Sequence, residues 1–251
     1  ALRSMPAADL VKRLKDVSPP SREVTSSRGI GTIVDGDVVT RDDRNAYALG
    51  QHAHMPMIVG TVANEGAGIA RSLGLKTVAD LQAYIARNFV GHEQAALQAY
   101  AARQDGEVTR VLSDLVSDTQ YQYGTREMLH AVAPREPRLY RYIFSQRRNG
   151  EAAEPIHGAE LQYPFENLQA LHRGRQRPFN ASDETVAKEM TDAWARFAKT
   201  GDPNGGSLPN WPRYGAGPER YLEFGATIRA GELKAEPRLD LIRAYYARPS
   251  P

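Results

Sequence analysis

The order of segments predicts an α/β fold, and three observations carry that prediction. Two apolar runs read as buried strands, helix-period stripes lie between and after them, and glycine, proline and polar clusters mark the changes. The first run, 55–60, is apolar without alternation and closes on Gly60. The second, 138–145, interleaves Leu139, Ile143 and Phe144 with Tyr140 and Tyr142. Continuous apolar character suits a parallel strand, because helices cover both of its faces. Two such strands make an incomplete sheet with uncovered hydrogen-bonding edges.

Each element has its own signal. Ser4 is expected to cap a first helix, with Pro6 in its first turn and Leu10 and Leu14 on one face. The proline- and serine-rich stretch 19–28 reads as loop. Residues 29–39 alternate short β-branched pieces with Gly31 and Gly36, the pattern of a hairpin or irregular strand. After the first strand, Thr77 caps a helix with Val78, Leu81 and Ile85 at helical spacing. Val108, Val111, Leu112 and Leu115 form a second stripe. After the second strand, the clearest helix begins near Ser182 with Asp183 and Glu184 in its first turn. Its face is Val186, Met190, Ala193 and Phe197; beyond Thr200, Gly201 suits a left-handed stop and Pro203 forbids continuation. A last amphipathic helix carries Leu239, Ile242 and Tyr246.

Composition narrows the function. The chain has 251 residues, 41% apolar and 25% charged, enough for a packed core. Its 32 basic and 30 acidic residues leave a net charge of +2, so the pI near 8.8 reflects a small surplus and no nucleic-acid partner is expected. No apolar run approaches the ~18 residues of a membrane span. Cysteine is absent, which excludes a disulfide framework, a thiolate nucleophile and cysteine metal sites. It leaves the compartment unassigned, since either redox environment suits such a chain. The first residue is Ala1 and no leader pattern is present, which reads as a processed or truncated start.

Two residues stand out chemically. Glu65 lies beyond Gly60 in the loop leaving the first strand, among Asn64, Gly66, Ala67 and Gly68. Such loops at the carboxyl ends of parallel strands are where α/β folds build sites. A solvated loop acid, or an acid at a helix start, is the plain alternative. His157 follows the second strand in Pro155-Ile156-His157-Gly158, placed to project an imidazole, or simply to hydrogen-bond a carbonyl in a turn. Together they follow the chain order of α/β-hydrolases, in which serine precedes an Asp or Glu and then His. Neutral imidazole takes a proton from a serine hydroxyl and returns it to the leaving alcohol, while the carboxylate fixes its tautomer. The serine is missing: no G-x-S-x-G occurs, and Gly205-Gly206-Ser207-Leu208-Pro209 fails at its last position. No HGGG-type oxyanion loop is present either.

Several blocks resemble the type-B carboxylesterases, the family of the cholinesterases and para-nitrobenzyl esterases. Ala1-Leu2-Arg3-Ser4 resembles its CLR segment with alanine for cysteine, and Val34-Asp35-Gly36 resembles its VDG turn. Ile58-Val59-Gly60 through Asn64-Glu65-Gly66 resembles xxGxxxxEG, and His157-Gly158-Ala159-Glu160-Leu161 resembles HGxEL. The most specific match runs from Trp194 to Asn204 and on to Trp211-Pro212. Asn64 departs from the family's frequent Asp. The resemblance spans essentially the whole chain. It implies the C-terminal portion of a single α/β-hydrolase domain over residues 1–251, comprising the last sheet strands and their packing helices.

It further implies that Glu65 is the triad acid, His157 the triad base and Glu160 a supporting acid. The nucleophile then belongs to an N-terminal half outside this chain. The implied reaction is hydrolysis of a small-molecule carboxylic ester through an acyl-enzyme, with no metal or organic cofactor. The chain alone is expected to be inactive, and stable only with its missing half. A non-catalytic cholinesterase-like adhesion or binding protein, or an inactive fragment, remains the alternative. Other features have plainer readings. His52 and His54 form an H-x-H pair without an evident third ligand. Gly66-Ala67-Gly68 has Arg71 where a dinucleotide loop needs glycine. The basic run 172–177 reads as a solvated loop; Asn180-Ala181-Ser182 matches a glycosylation acceptor, but helix capping explains Ser182 without any glycan; Tyr121, Tyr123, Tyr140 and Tyr142 read as packing.

Overall fold

The computed structural model describes residues 2–17, 33–150, 152–168, 179–215, 217–234 and 236–247. Among these residues, four strands form one sheet in the order β1-β2-β3-β4. β1 (Met57–Val62) runs parallel to β2 (Leu139–Phe144), with Met57 opposite Leu139 and Val62 opposite Phe144. β2 runs parallel to β3 (Arg220–Phe224), and β4 (Arg229–Glu232) returns antiparallel along β3. Both expected strands are present, but β1 starts at Met57 and continues past Gly60 to Val62. Glycine is required inside β1, because a Cβ on Gly60 would lie 2.3 Å from the Tyr142 ring on β2.

The helices follow in chain order: α1 (Ala7–Val17), α2 (Asp43–Ala48), α3 (Ala67–Leu73), α4 (Val78–Asn88), α5 (Glu93–Ala99), α6 (Val108–Ser117), α7 (Tyr123–Val132), α8 (Ala181–Thr200) and α9 (Pro237–Tyr246). A single π-turn, Asp118–Gln122, joins α6 to α7. No described helix is long and apolar enough to cross a membrane. Alternation along β2 divides the core. Tyr140 and Phe144 face α8 with Leu222, Phe224, Met190, Ala193 and Trp211. Leu139 faces the other way, onto Leu129 and Val132 of α7 and onto Tyr214. A third cluster joins α3 to α6 with α9 through Leu81, Ile85, Phe89, Leu112, Leu115 and Ile242.

Helix ends obey local chemistry. Thr77 and Asp80 form a reciprocal capping box on α4. The α8 cap is Asn180, not Ser182: its side-chain oxygen accepts the Ser182 and Asp183 N–H groups, and Gly201 ends the helix at φ +74°. α1 begins at Ala7, after Pro6, while Ser4 belongs to a short 3-10 turn before it. Of the expected hairpin, the described part, 33–39, contains no strand. Asp35 Oδ1 instead accepts the N–H groups of Asp37, Val38 and Val39 around Gly36 at φ +80°. A short acceptor side chain competes here with β pairing and wins. The expected loop 19–28 and the basic run 172–177 lie outside the described residues.

Candidate active site

The carboxyl ends of β1 and β2 converge on one spot. Past Val62 the strand pairing continues through Asn64, which bridges to Ile156 in parallel and donates its N–H to the Pro155 carbonyl at 3.1 Å. That bridge places Glu65 beside His157. Glu65 Oε2 lies 2.7 Å from His157 Nδ1, and its Oε1 accepts the Val62 N–H at 2.8 Å. The carboxylate is buried while the imidazole is 64% exposed. A carboxylate can only accept, so the Nδ1 contact assigns the proton to Nδ1 and leaves the Nε2 lone pair free to take another.

The backbone under Glu65 is clamped by α6. Gly66 N–H donates to Ser117 Oγ at 2.8 Å, and Ser113 Oγ donates to Asn64 Oδ1 at 2.5 Å. A Cβ on Gly66 would sit 2.2 Å from the Ser113 carbonyl, so only glycine allows this approach. The segment 66–68, with its weak dinucleotide pattern, is therefore a helix start packed onto α6. Tyr121, inside the π-turn, lies 4.9 Å from the His157 ring centroid at a tilt of 45°. Thr61 Oγ1 and Gln122 exchange hydrogen bonds at 3.1–3.2 Å and tie the same turn to β1.

Glu160 lies near the pair without a hydrogen bond to either member among the described residues. Burial holds its carboxyl above the ordinary range; its own backbone N–H works against this, the Glu65 charge adds to it, and His157 lowers it. Its Oε2 is buried and unpartnered. Tyr142, beneath the site, is pushed above the ordinary phenol range by burial first and then by Glu160 and Glu65. The structure thus brings Glu65, His157 and Glu160 together. Tyr121, expected only to pack, also flanks the histidine ring. The seryl clamp has no signal in the sequence, because no spacing rule links residues some fifty positions apart.

The remaining candidates resolve differently. His52 and His54 stack on each other at 5.2 Å, and His52 stacks on Tyr47 at 4.9 Å, in irregular backbone ahead of β1. Burial lowers the His52 pKa. Among the described residues no three or more His, Asp or Glu side chains gather as a metal cluster. The Trp194–Asn204 block is packing: Trp194 meets Trp211 at 5.8 Å, and Trp211 Nε1 donates to the Arg141 carbonyl at 2.8 Å. Asn204 closes the turn by accepting the Trp211 N–H and donating to its carbonyl.

A mostly parallel sheet with packed helices, and an acid and a histidine joined beyond the carboxyl ends of adjacent strands, is a partial α/β fold of the kind the α/β-hydrolases have. The chain belongs to the carboxylesterase family, whose model matches residues 1–241. It is similar to a fumonisin B1 esterase from Sphingopyxis macrogoltabida, 32% identical over 92% of this chain and 44% of that protein. A bile salt-activated lipase from Bos taurus is 26% identical over 85% of this chain and 39% of its own length. An acetylcholinesterase from Leptinotarsa decemlineata is 30% identical over 47% of this chain and 18% of its own length. The chain spans less than half the length of each of these relatives.

Proposed function

We propose that this chain supplies the acid and the base of a Ser-His-Glu carboxylic-ester hydrolase. The observation that carries the proposal is the 2.7 Å contact between Glu65 Oε2 and His157 Nδ1, with the imidazole otherwise open. The serine belongs to an N-terminal part of the same fold that is not in this chain. In that assembly His157 Nε2 takes the hydroxyl proton as the serine oxygen attacks the ester carbonyl. The resulting imidazolium, stabilised by Glu65, returns the proton to the alkoxide, and the alcohol leaves an acyl-serine. Water then repeats the sequence, with His157 again the base, and releases the carboxylic acid. Glu160 supports the pair electrostatically. The similar proteins are named as esterases and a lipase, so the shared chemistry is ester hydrolysis; their differing names assign no particular ester.

The test uses the chain together with its nucleophile-bearing part and release of p-nitrophenol from a short-chain ester. Glu65→Gln should lower kcat by about 10³–10⁴, the scale on which triad acids act, and His157→Ala by at least as much. The chain without that part should show neither a burst nor turnover. Near-full activity in either variant would sink the assignment.

A further inference from the structure

Nothing in the acid–histidine chemistry explains Asp183, the most deeply buried carboxylate among the described residues. It is fully buried in the first turn of α8. As the third residue of a capping box it needs one donor, the Asn180 N–H, which reaches Oδ2 at 3.0 Å. Three further donors come from elsewhere. Gln146 Nε2 donates to Oδ1 at 2.9 Å, the Asn149 N–H donates to Oδ2 at 2.8 Å, and Tyr163 OH donates to Oδ1 at 2.9 Å.

These three share a property: they bracket His157 in the chain. Gln146 and Asn149 lie where the chain leaves β2, and Tyr163 lies where it comes back toward α8. One carboxylate therefore gathers both ends of the excursion that carries the histidine. Asn149 holds a left-handed conformation at φ +48°, unusual outside glycine, and its N–H is one of the bound donors. A second link, Asn180 Nδ2 to Asn149 Oδ1 at 3.2 Å, reinforces that corner. Tyr163 is fixed at its other end by packing on Phe144 at 4.8 Å, and Thr191 Oγ1 donates to its carbonyl at 3.1 Å. The middle of the excursion is pinned by the Asn64–Ile156 bridge. A buried carboxylate accepting four donors is a rigid junction, because each donor left unpaired carries its own desolvation cost.

We propose that Asp183 is a positioning residue for His157, acting through the two ends of its loop. As a positioning residue for the proposed base it rests on the reading of His157 given above, but its decisive test needs no turnover. In the full chain, the Nδ1 proton shared with Glu65 is followed by proton NMR, and amide exchange is followed through 152–162. In Asp183→Asn one oxygen becomes a donor facing donors. The expected result is loss or broadening of the Nδ1 signal and exchange at least tenfold faster through 152–162, with α4 and α6 still protected. Asp80→Asn, which removes the equivalent capping-box acid from α4, should leave the His157 signal intact.

If Asp183→Asn does not fold, Tyr163→Phe and Gln146→Leu each remove one side-chain donor and should give smaller changes of the same kind. An unchanged signal and unchanged exchange would overturn the proposal, as would equal loss of protection in α4 and α6. In the esterase assay, Asp183→Asn should lower kcat about 10–100-fold at near-constant KM, the cost of a mispositioned base. Should His157→Ala retain activity, the catalytic reading fails while the exchange result still decides whether Asp183 sets the loop.

Discussion

At the scale of the residue, Gly66 and Gly68 stand two positions apart and face opposite constraints. Both look alike in sequence, as flexible neighbours of Glu65. A Cβ at Gly66 would meet the Ser113 carbonyl at 2.2 Å and the Ser117 nitrogen at 2.8 Å, whereas one at Gly68 would meet nothing within 4 Å. The backbone beside Gly66 cannot move away cheaply, because its N–H is bound to Ser117 Oγ. Gly66→Ala should therefore destabilise the chain by about 1–3 kcal/mol, the usual cost of overpacking. Gly68→Ala, inside α3, should be neutral or stabilise by up to about 1 kcal/mol through helix propensity. Urea denaturation of the two variants checks the contrast, and equal midpoints would refute it. That Glu65 and His157 meet was legible, because the acid–base role proposed for them constrains residue type and chain order. The reason for Gly66 was not, because the serine clamp depends on a packing distance that no local pattern encodes.

At the scale of the element, the strongly patterned segments were readable and the weakly patterned ones were not. α4, α6 and α8 carry clean apolar stripes, and each appears where its stripe predicts. β3 is five residues of mixed charge, too short for the alternation of Leu222 and Phe224 to stand out, and β4 is Arg-Ala-Gly-Glu, whose strand form comes from pairing with β3. The π-turn between α6 and α7 likewise has no sequence signal, yet it carries Tyr121 to His157. The carboxyl of its first residue, Asp118, is raised to about 6, chiefly by burial and against the lowering effect of the Tyr100 hydroxyl, which donates to it at 2.9 Å. Between 3.8 and about 6 the folded chain holds this proton and the unfolded chain releases it. The contribution of Asp118 to stability therefore falls as pH rises through that window and levels off above it. Asp118→Asn keeps an acceptor for Tyr100 but removes the titration. Its stability relative to the parent should rise by roughly 2–3 kcal/mol from pH 4 to pH 7, the order that follows when folding moves a carboxyl from 3.8 to about 6. Urea unfolding at both pH values measures this, and a pH-independent difference would refute it.

At the scale of the whole molecule, β1 is the informative edge. It ends the sheet order, although its sequence is that of a strand buried on both faces and its residues 57–60 are only half-buried. Met57 and Ala63 donate their N–H groups toward the β2 side, to Arg138 and Phe144 carbonyls. Parallel alternation then turns the N–H groups of Ile58, Gly60 and Val62 the other way. Glu65 Oε1 occupies Val62, leaving Ile58 and Gly60 facing the open edge. An apolar strand whose outward donors meet no partner among the described residues is a template for another strand. The proposed N-terminal part should pair in parallel along β1. Amide exchange tests this at a dilution that prevents self-association. In the chain alone, of low stability without its other half, Ile58 and Gly60 should still exchange faster than Val59 and Thr61, which are bonded toward β2. On adding the N-terminal part, Ile58 and Gly60 should gain protection of about a hundredfold or more. Activity recovered without that gain would mean that the nucleophile arrives by some route other than completion of the sheet.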